Sequence, residues 1–206
     1  MKLYNSIGPN PRLVNMVCAE KGVVLARVEV DIMAGENRRP AFLALNPTGT
    51  TPVLQLDDGS CIAETVAICE YLEELFPQVA LIGRTPVERA RTRMWWRRVD
   101  LQVVQPMIAG FRGAEGLPLF RDRVRCLPQA AADLKLMAQE GMAWLDGQLG
   151  EQPFLCGEAL TIADLQLFCF IEFGDKVGQS PDPRLQNLAR WRERMAARPA
   201  ARVAWL

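Results

Sequence analysis

Residues 46–65 read NPTGTTPVLQLDDGSCIAET, and this stretch is the most informative part of the chain. It opens with Asn-Pro-Thr-Gly, a strong turn signal. Two short apolar runs then flank Asp58-Gly59, a pattern that predicts an antiparallel β-hairpin. An amphipathic helix is predicted over residues 65–76, ended by Pro77. The stretch therefore predicts strand, strand and helix in close succession.

The residues before this stretch alternate between strand and helix patterns. A strand is predicted at residues 3–6, a helix at 11–21, a strand at 24–31 and a short helix at 40–45. A helix between the first two strands indicates a parallel pair, whereas the hairpin must be antiparallel. The order β-α-β-α-β-β-α thus predicts an α/β domain with a mixed four-stranded sheet.

The rest of the chain carries helical periodicity almost throughout. Helices are predicted at residues 87–111, 124–149, 161–173 and 184–198, with 199–206 as a tail. We expect an α/β domain over residues 1–79, a linker over 80–86 and an all-α domain over 87–206. Thr161 and Asp164 form a variant capping box at the start of the third helix, a structural feature whose loss should affect folding before chemistry.

The composition excludes several classes of function. Lys plus Arg and Asp plus Glu both number 24, and a net charge of zero argues against nucleic-acid and membrane-surface binding. The absence of histidine excludes a Ser-His-Asp relay and His-ligated zinc, and no CxxC occurs among the six cysteines. We expect reduced cysteines, no metal and, without an N-terminal apolar run, a soluble cytoplasmic protein.

Two stretches resemble the cytosolic glutathione transferases. The first is residues 46–65, and the second is PFLCGEALTIADLQLF at residues 153–168. The resemblance is closest to a fungal-type and bacterial subgroup that lacks the usual Tyr, Ser or Cys catalyst. It implies a thioredoxin-like first domain, glutathione as co-substrate, a homodimer and a role in detoxification.

The same resemblance implies which residues bind glutathione. A cis bond between Thr51 and Pro52 presents the Thr51 backbone to the tripeptide, although Pro52 could simply begin an edge strand. Glu64 and Thr65 are expected at the γ-glutamyl end, with a plain helix cap at Thr65 as the alternative. Arg39, with Arg38 as the fallback, is expected to bind the glycyl carboxylate unless it is a solvated surface residue.

Activation of the glutathione thiol is expected at the start of the first helix. A helix N-terminus lowers a thiol pKa through its dipole and its exposed N–H groups. Asn10 is the first candidate, although it could instead cap the helix before Pro11, and Ser6 and Arg12 are the others. Since none of these groups is a strong base, the proton should leave to water or to a glutathione carboxylate, with a modest fall in the thiol pKa.

Three functions remain open on the sequence. The first is conjugation of glutathione to a small apolar electrophile, in a pocket between the domains with Met107 and Phe111 as candidate lining residues. The second is glutathione-dependent reduction of a disulfide or peroxide. The third is a non-catalytic interaction module, which intact Pro52, Glu64 and Thr65 argue against.

Overall fold

The structure is a computed structural model that describes residues 1–203 of the 206-residue chain. Its contacts divide the chain into two compact units. The first comprises residues 1–81 together with the C-terminal segment from Arg198, and the second comprises residues 82–197. The sequence had predicted that the whole chain after residue 86 forms one helical domain. The C-terminal segment instead joins the first unit, because it packs against the first helix.

The described part of the first unit contains a four-stranded sheet with the order β2-β1-β3-β4. The strands are β1 (Lys2–Asn5), β2 (Ala26–Glu29), β3 (Val53–Gln55) and β4 (Cys61–Ala63). β1 pairs in parallel with β2 and antiparallel with β3, and β3 pairs antiparallel with β4. The predicted mixed sheet and the hairpin are both confirmed. Gly59, with a φ of 86°, supplies the left-handed backbone that the hairpin turn needs.

Helices lie between and after these strands. They are α1 (Pro9–Lys21), α2 (Pro40–Leu43) and α3 (Thr65–Leu75), with 3₁₀ turns at Glu36–Arg38 and Pro199–Arg202. The predicted start of α1 at residue 11 was wrong by two residues. Pro9 is a favourable first helical residue because its φ is already helical and its missing N–H would have no intrahelical acceptor. Asn10 is therefore inside the first turn, and Gly8 is the N-cap.

The core of the first unit lies between the sheet and its helices. Leu3 and Leu54 of the sheet are fully buried, as are Leu13 of α1 and Ile68 of α3. Burial in α1 extends around the helix and is not confined to one face. Almost every residue from Pro9 to Cys18 is buried, because α1 also packs against α3 and against the C-terminal 3₁₀ turn.

The described part of the second unit is helical. Its helices are α4 (Pro86–Val99), α5 (Gln105–Gly113), α6 (Leu117–Phe120), α7 (Ala131–Leu149), α8 (Ile162–Lys176) and α9 (Gln186–Ala196). α4 continues into α5 through a π-helical turn at Asp100–Val104, next to Pro106, which cannot donate a backbone hydrogen bond. α7 begins at Ala131, not at residue 124 as predicted, since Pro128 disfavours a helical residue before it.

The core of the second unit surrounds α8. All residues from Ile162 to Ile171 are buried, and α8 packs against α4 and α9. α7 approaches the π-helical turn closely at Gly141, where an added Cβ would lie 2.1 Å from the Gln102 carbonyl oxygen. Only glycine fits at this helix contact, so Gly141 is a packing residue.

The six cysteines are free thiols in the structure. Cys18, Cys69 and Cys169 are buried, whereas Cys61 is half-buried on the edge strand β4. Among residues 1–203, no helix has both the length and the apolar character that crossing a membrane requires.

Candidate functional site

Several of the predicted site residues gather at one end of the sheet. Tyr4 of β1 pairs with Val53 of β3, which pairs with Ala63 of β4, so these three residues form a row. The residues beyond that row are Ser6 after β1, Pro52 before β3 and Glu64 after β4. Strand pairing therefore brings together segments that are far apart in the sequence, and α1 starts from the same end.

The bond between Thr51 and Pro52 is cis, as the resemblance implied. Pro52 is buried and Thr51 is half-buried. The hydroxyl groups of Thr51 and Ser6 share a short hydrogen bond, and Ser6 also donates to the Ile7 carbonyl at 3.1 Å. Ser6 is only 4% exposed, so it links the loop before α1 to the cis-proline loop.

Glu64 and Thr65 lie at the start of α3. Glu64 has a φ of 70°, which makes it the one non-glycine residue with a positive φ in the described part of the chain. Such a conformation is unfavourable for a side-chain-bearing residue and occurs often at functional sites. Glu64 is the N-cap, and no side chain caps this helix, which overturns the alternative of Thr65 as a plain cap. The first N–H groups of α3 and the Thr65 hydroxyl can therefore serve an external anion.

The two arginines before α2 differ in their surroundings. Arg38 donates to the Thr48 carbonyl at 3.0 Å and so holds the loop at residues 46–50. Gly49 is required in this loop, since it has a φ of 65° and an added Cβ would lie 2.4 Å from the Arg38 guanidinium. The Arg39 side chain is 62% exposed, and its Nη1 lies 3.7 Å from Glu36. Arg39 is thus better placed than Arg38 to reach a ligand.

The first turn of α1 presents Asn10 as its main polar group. Pro9 and Pro11 have no backbone N–H, and the Arg12 N–H donates to the Gly8 carbonyl at 3.2 Å. Asn10 is half-buried and retains both a backbone N–H and a side-chain amide in this turn. These are the groups through which the helix start can donate to a thiolate.

Arg12, the third candidate for thiol activation, is held by the C-terminal segment. Arg12 is only 3% exposed, and its guanidinium donates to the carbonyls of Ala201 (3.0 Å) and Val203 in the C-terminal segment. From the sequence, Arg12 was a candidate because its charge could lend positive potential to the thiol. Packing of the C-terminal segment against α1, which sequence spacing does not reveal, instead provides carbonyl acceptors for this charge.

A buried polar network beneath the loop before α1 was missed. Asn5, which is fully buried, donates to both Glu29 carboxylate oxygens at 3.1 Å and accepts a hydrogen bond from Asn15 at 3.0 Å. These contacts link β1, β2 and α1 at the junction that leads to Ser6. The available signal was Asn15, a polar residue between Val14 and Met16 on a buried helix.

The two candidate lining residues of an electrophile pocket also differ. Met107 is fully buried, and its Cε lies 3.1 Å from where a Cβ on Gly174 would stand. Met107 is therefore a core residue, which corrects its assignment to an open pocket. Phe111 is half-buried and packs edge-on against Phe173 and Phe120, with ring centroids 5.1 and 6.0 Å away. Phe111 remains a candidate.

Two of the protein's thiols, Cys18 and Cys156, are poor nucleophiles. Burial raises the pKa of the Cys18 thiol to about 11. Burial also raises the pKa of Cys156, whose sulfur lies 3.6 Å from the Thr161 hydroxyl oxygen. Since the thiolate is the reactive form, neither side chain is suited to act as a nucleophile near neutral pH.

The fold and the end of the sheet define a class of protein: a thioredoxin-like unit with a cis-proline loop, combined with a helical unit. Comparison with known proteins gives the family. The family model described as Glutathione S-transferase, N-terminal domain, matches residues 7–75, and Glutathione S-transferase, C-terminal domain, matches residues 130–199. The chain belongs to the glutathione S-transferase family and has a glutathione-transferase-type function.

Individual relatives cover nearly the whole chain. Glutathione S-transferase 2 of Saccharomyces cerevisiae is 33% identical over 98% of this chain and 88% of its own length. Maleylacetoacetate isomerase of Pseudomonas aeruginosa is 32% identical over 99% of this chain and 95% of its own. A solved glutathione S-transferase domain-containing protein from Marinobacter aquaeolei superposes with a TM-score of 0.90 at 38% identity, covering 97% of this chain and 99% of that one.

Proposed function

We propose that this protein binds glutathione at the end of the sheet and conjugates its thiolate to a small apolar electrophile. One observation carries the proposal. The strand register brings the cis-proline loop and the strained Glu64 to the end of the sheet from which α1 starts. This arrangement provides polar groups for both ends of a short peptide and a helix N-terminus for a thiolate.

The proposed position of glutathione follows from the chemistry of these groups. The γ-glutamyl carboxylate binds at the start of α3, with Thr65, while Glu64 binds the neighbouring ammonium group. The Thr51 backbone pairs with the peptide as an added strand would. Arg39 binds the glycyl carboxylate. The sulfur then lies toward the first turn of α1, next to Asn10.

The proposed reaction needs no protein nucleophile. The α1 dipole and the Asn10 donors favour the thiolate, and the thiol proton leaves to water or to a glutathione carboxylate. The sulfur electron pair forms a bond to carbon of the electrophile, and the leaving group departs with the electrons of the broken bond. Phe111 is proposed to contact the electrophile. We further propose that the protein acts as a cytoplasmic homodimer in detoxification.

Titration with glutathione tests the binding part of this proposal. Calorimetry should give saturable binding for glutathione and for S-methylglutathione, which lacks an ionisable thiol. Glutathione, unlike its S-methyl analogue, should release protons on binding above those of the mixing control. Conjugation is then followed with a chlorodinitroaryl electrophile. Lack of saturation with both peptides would favour the interaction-module alternative.

Isomerisation is a second candidate, because a maleylacetoacetate isomerase is 32% identical over nearly the whole chain. A thiolate that adds to a double bond and then leaves again is regenerated, whereas conjugation consumes one glutathione per product. Measuring glutathione loss against substrate loss therefore separates the two reactions. The same comparison with a mixed disulfide substrate tests the reductase alternative.

Glu64→Gly is expected to separate binding from stability. Glycine adopts a φ of 70° without strain, so the free energy of unfolding should stay the same or rise. Loss of the carboxylate should weaken glutathione binding by about 1–3 kcal/mol, the usual range for a hydrogen bond to a charged group. Calorimetry and urea unfolding measure the two effects. Gln78→Ala, at an exposed position just after α3, should change neither. Unchanged glutathione affinity in Glu64→Gly would remove Glu64 from the site.

Asn10→Ala is expected to impair thiol ionisation more than binding. Loss of one donor to the thiolate should lower kcat/KM about 10-fold at neutral pH, with a smaller change in glutathione affinity. The pH dependence of thiolate absorbance in the bound complex should move to higher pH. Asn10→Asp, which adds a negative charge at the same turn, should move it further in the same direction. If both variants keep the parental pH profile, Asn10 has no contact with the sulfur.

A further inference from the structure

The C-terminal segment from Arg198 to Val203 contacts α1 at both ends. Arg198 forms a two-point ion pair with Glu20, in the last turn of α1, with N–O distances of 2.7 Å. Farther along the segment, the carbonyls of Ala201 and Val203 accept hydrogen bonds from Arg12 in the first turn of α1. The segment therefore runs antiparallel to the helix, and its two anchors lie about 12 Å apart along the helix axis.

These contacts are built into the fold of the first unit. Arg12 is 3% exposed and Ala200 is 5% exposed, so the segment covers the helix and excludes water from the guanidinium. A buried guanidinium is costly unless its N–H groups are satisfied. The two carbonyls help to meet this requirement, and they tie Arg12 to a part of the chain nearly two hundred residues away.

The geometry links this segment to the proposed thiol site. Arg12 belongs to the first turn of α1, where its backbone N–H donates to Gly8 and where Asn10 is the neighbouring polar residue. The Arg12 anchor therefore holds the same helical turn that carries Asn10.

We infer that residues 198–203 form a strap that positions the first turn of α1 and so sets the ionisation of the bound thiol. Arg12 and the ion pair of Glu20 with Arg198 are the positioning residues of this strap. The inference rests on the proposed function, since it concerns the thiol of glutathione bound there. Beyond that function, the ionisation of the glutathione thiol would then depend on residues 198–203, far from α1 in the sequence.

The test compares the pH dependence of thiolate absorbance in glutathione complexes of the full-length chain. Arg12→Gln should shift that dependence to higher pH and lower kcat/KM about 10-fold at neutral pH, whereas Arg12→Lys should recover part of the loss. Because Arg12→Gln can also prevent folding, Glu20→Arg and Arg198→Glu test the remote anchor. Each alone should shift the profile in the same direction, and the double exchange should restore it. Arg202→Ala, exposed in the same segment, is the matched control.

The outcomes distinguish the strap from the proposed function. If the parent protein binds and ionises glutathione, but the anchor variants keep its pH profile while losing thermal stability, the strap is only structural and the inference is overturned. If the parent protein shows no saturable binding of glutathione, both the proposed function and the strap inference fail. Recovery of the profile by the double exchange supports the strap.

Discussion

Replacement of Asp164 by alanine should destabilise the protein by about 3–5 kcal/mol, because it leaves several buried donors without an acceptor. The Asp164 carboxylate is fully buried in the second unit. It accepts hydrogen bonds from the backbone N–H groups of Leu155 (2.8 Å) and Thr161 (3.0 Å), from the Thr161 hydroxyl (2.9 Å) and from the Trp191 indole (3.0 Å). Urea unfolding followed by tryptophan fluorescence measures this loss.

Thr161 and Asp164 form a capping box at the start of α8, and a second capping box in an exposed position provides the control. Thr85 and Glu88 form a capping box at the start of α4, but Glu88 is exposed to solvent. Hydrogen bonds from the backbone N–H groups of Arg84 and Thr85 lower the pKa of Glu88. Burial raises the pKa of Asp164, because its effect outweighs that of the hydrogen bonds, which lower the pKa. Glu88→Ala should therefore cost only a small fraction of the Asp164→Ala loss. Equal losses would show that the cap alone, rather than the buried network, determines stability.

The second large effect is expected at Glu73, the acidic member of a buried ion pair in the first unit. Its carboxylate lies 2.5 Å from the Lys21 ammonium, and the two side chains are 3% and 1% exposed. Lys21 also donates to the carbonyls of Phe76 and Val79. Glu73→Ala leaves the ammonium buried without its counter-charge, so the free energy of unfolding should fall by about 3–5 kcal/mol. Urea unfolding measures the change.

Removing both charges should cost less than removing one. In Lys21→Met/Glu73→Leu no charge remains uncompensated, and apolar replacements of a buried ion pair are often tolerated. Gln78→Ala, at an exposed position just after α3, should leave the stability nearly unchanged. A double variant less stable than Glu73→Ala would contradict this account and would point to the backbone contacts of Lys21 as the main stabilising feature.

Much of the fold could be predicted because local patterns express it directly. Alternating apolar residues, the Asp58-Gly59 turn and the order of elements predicted the mixed sheet, and the spacing of Thr161 and Asp164 predicted the capping box that the structure shows. The errors lie at proline-containing boundaries. Prolines at positions 9, 106 and 128 each remove a backbone donor. Tertiary packing then decides where α1 and α7 begin and where the π-helical turn between α4 and α5 lies.

The candidate site was only partly predictable. Glu64, Thr65, Thr51 and Pro52 belong to one continuous stretch, so a local motif was sufficient to select them. The contacts of Arg12 with the C-terminal segment and the Asn5 network were both missed, because the partners are distant in sequence. An apolar residue such as Met107 suits both a pocket lining and a core, and only its full burial identifies it as a core residue.

Sequence alone established the succession of strands and helices, the absence of histidine chemistry and the loop that precedes β3. These properties depend on residue type and on neighbours a few positions away. Packing determined where the charges and polar side chains lie, including Arg12 against the C-terminal segment, Glu73 against Lys21 and Asp164 against Trp191. Each of these contacts joins residues far apart in the chain, and burial makes each partner necessary, since a charge removed from water requires a specific counterpart.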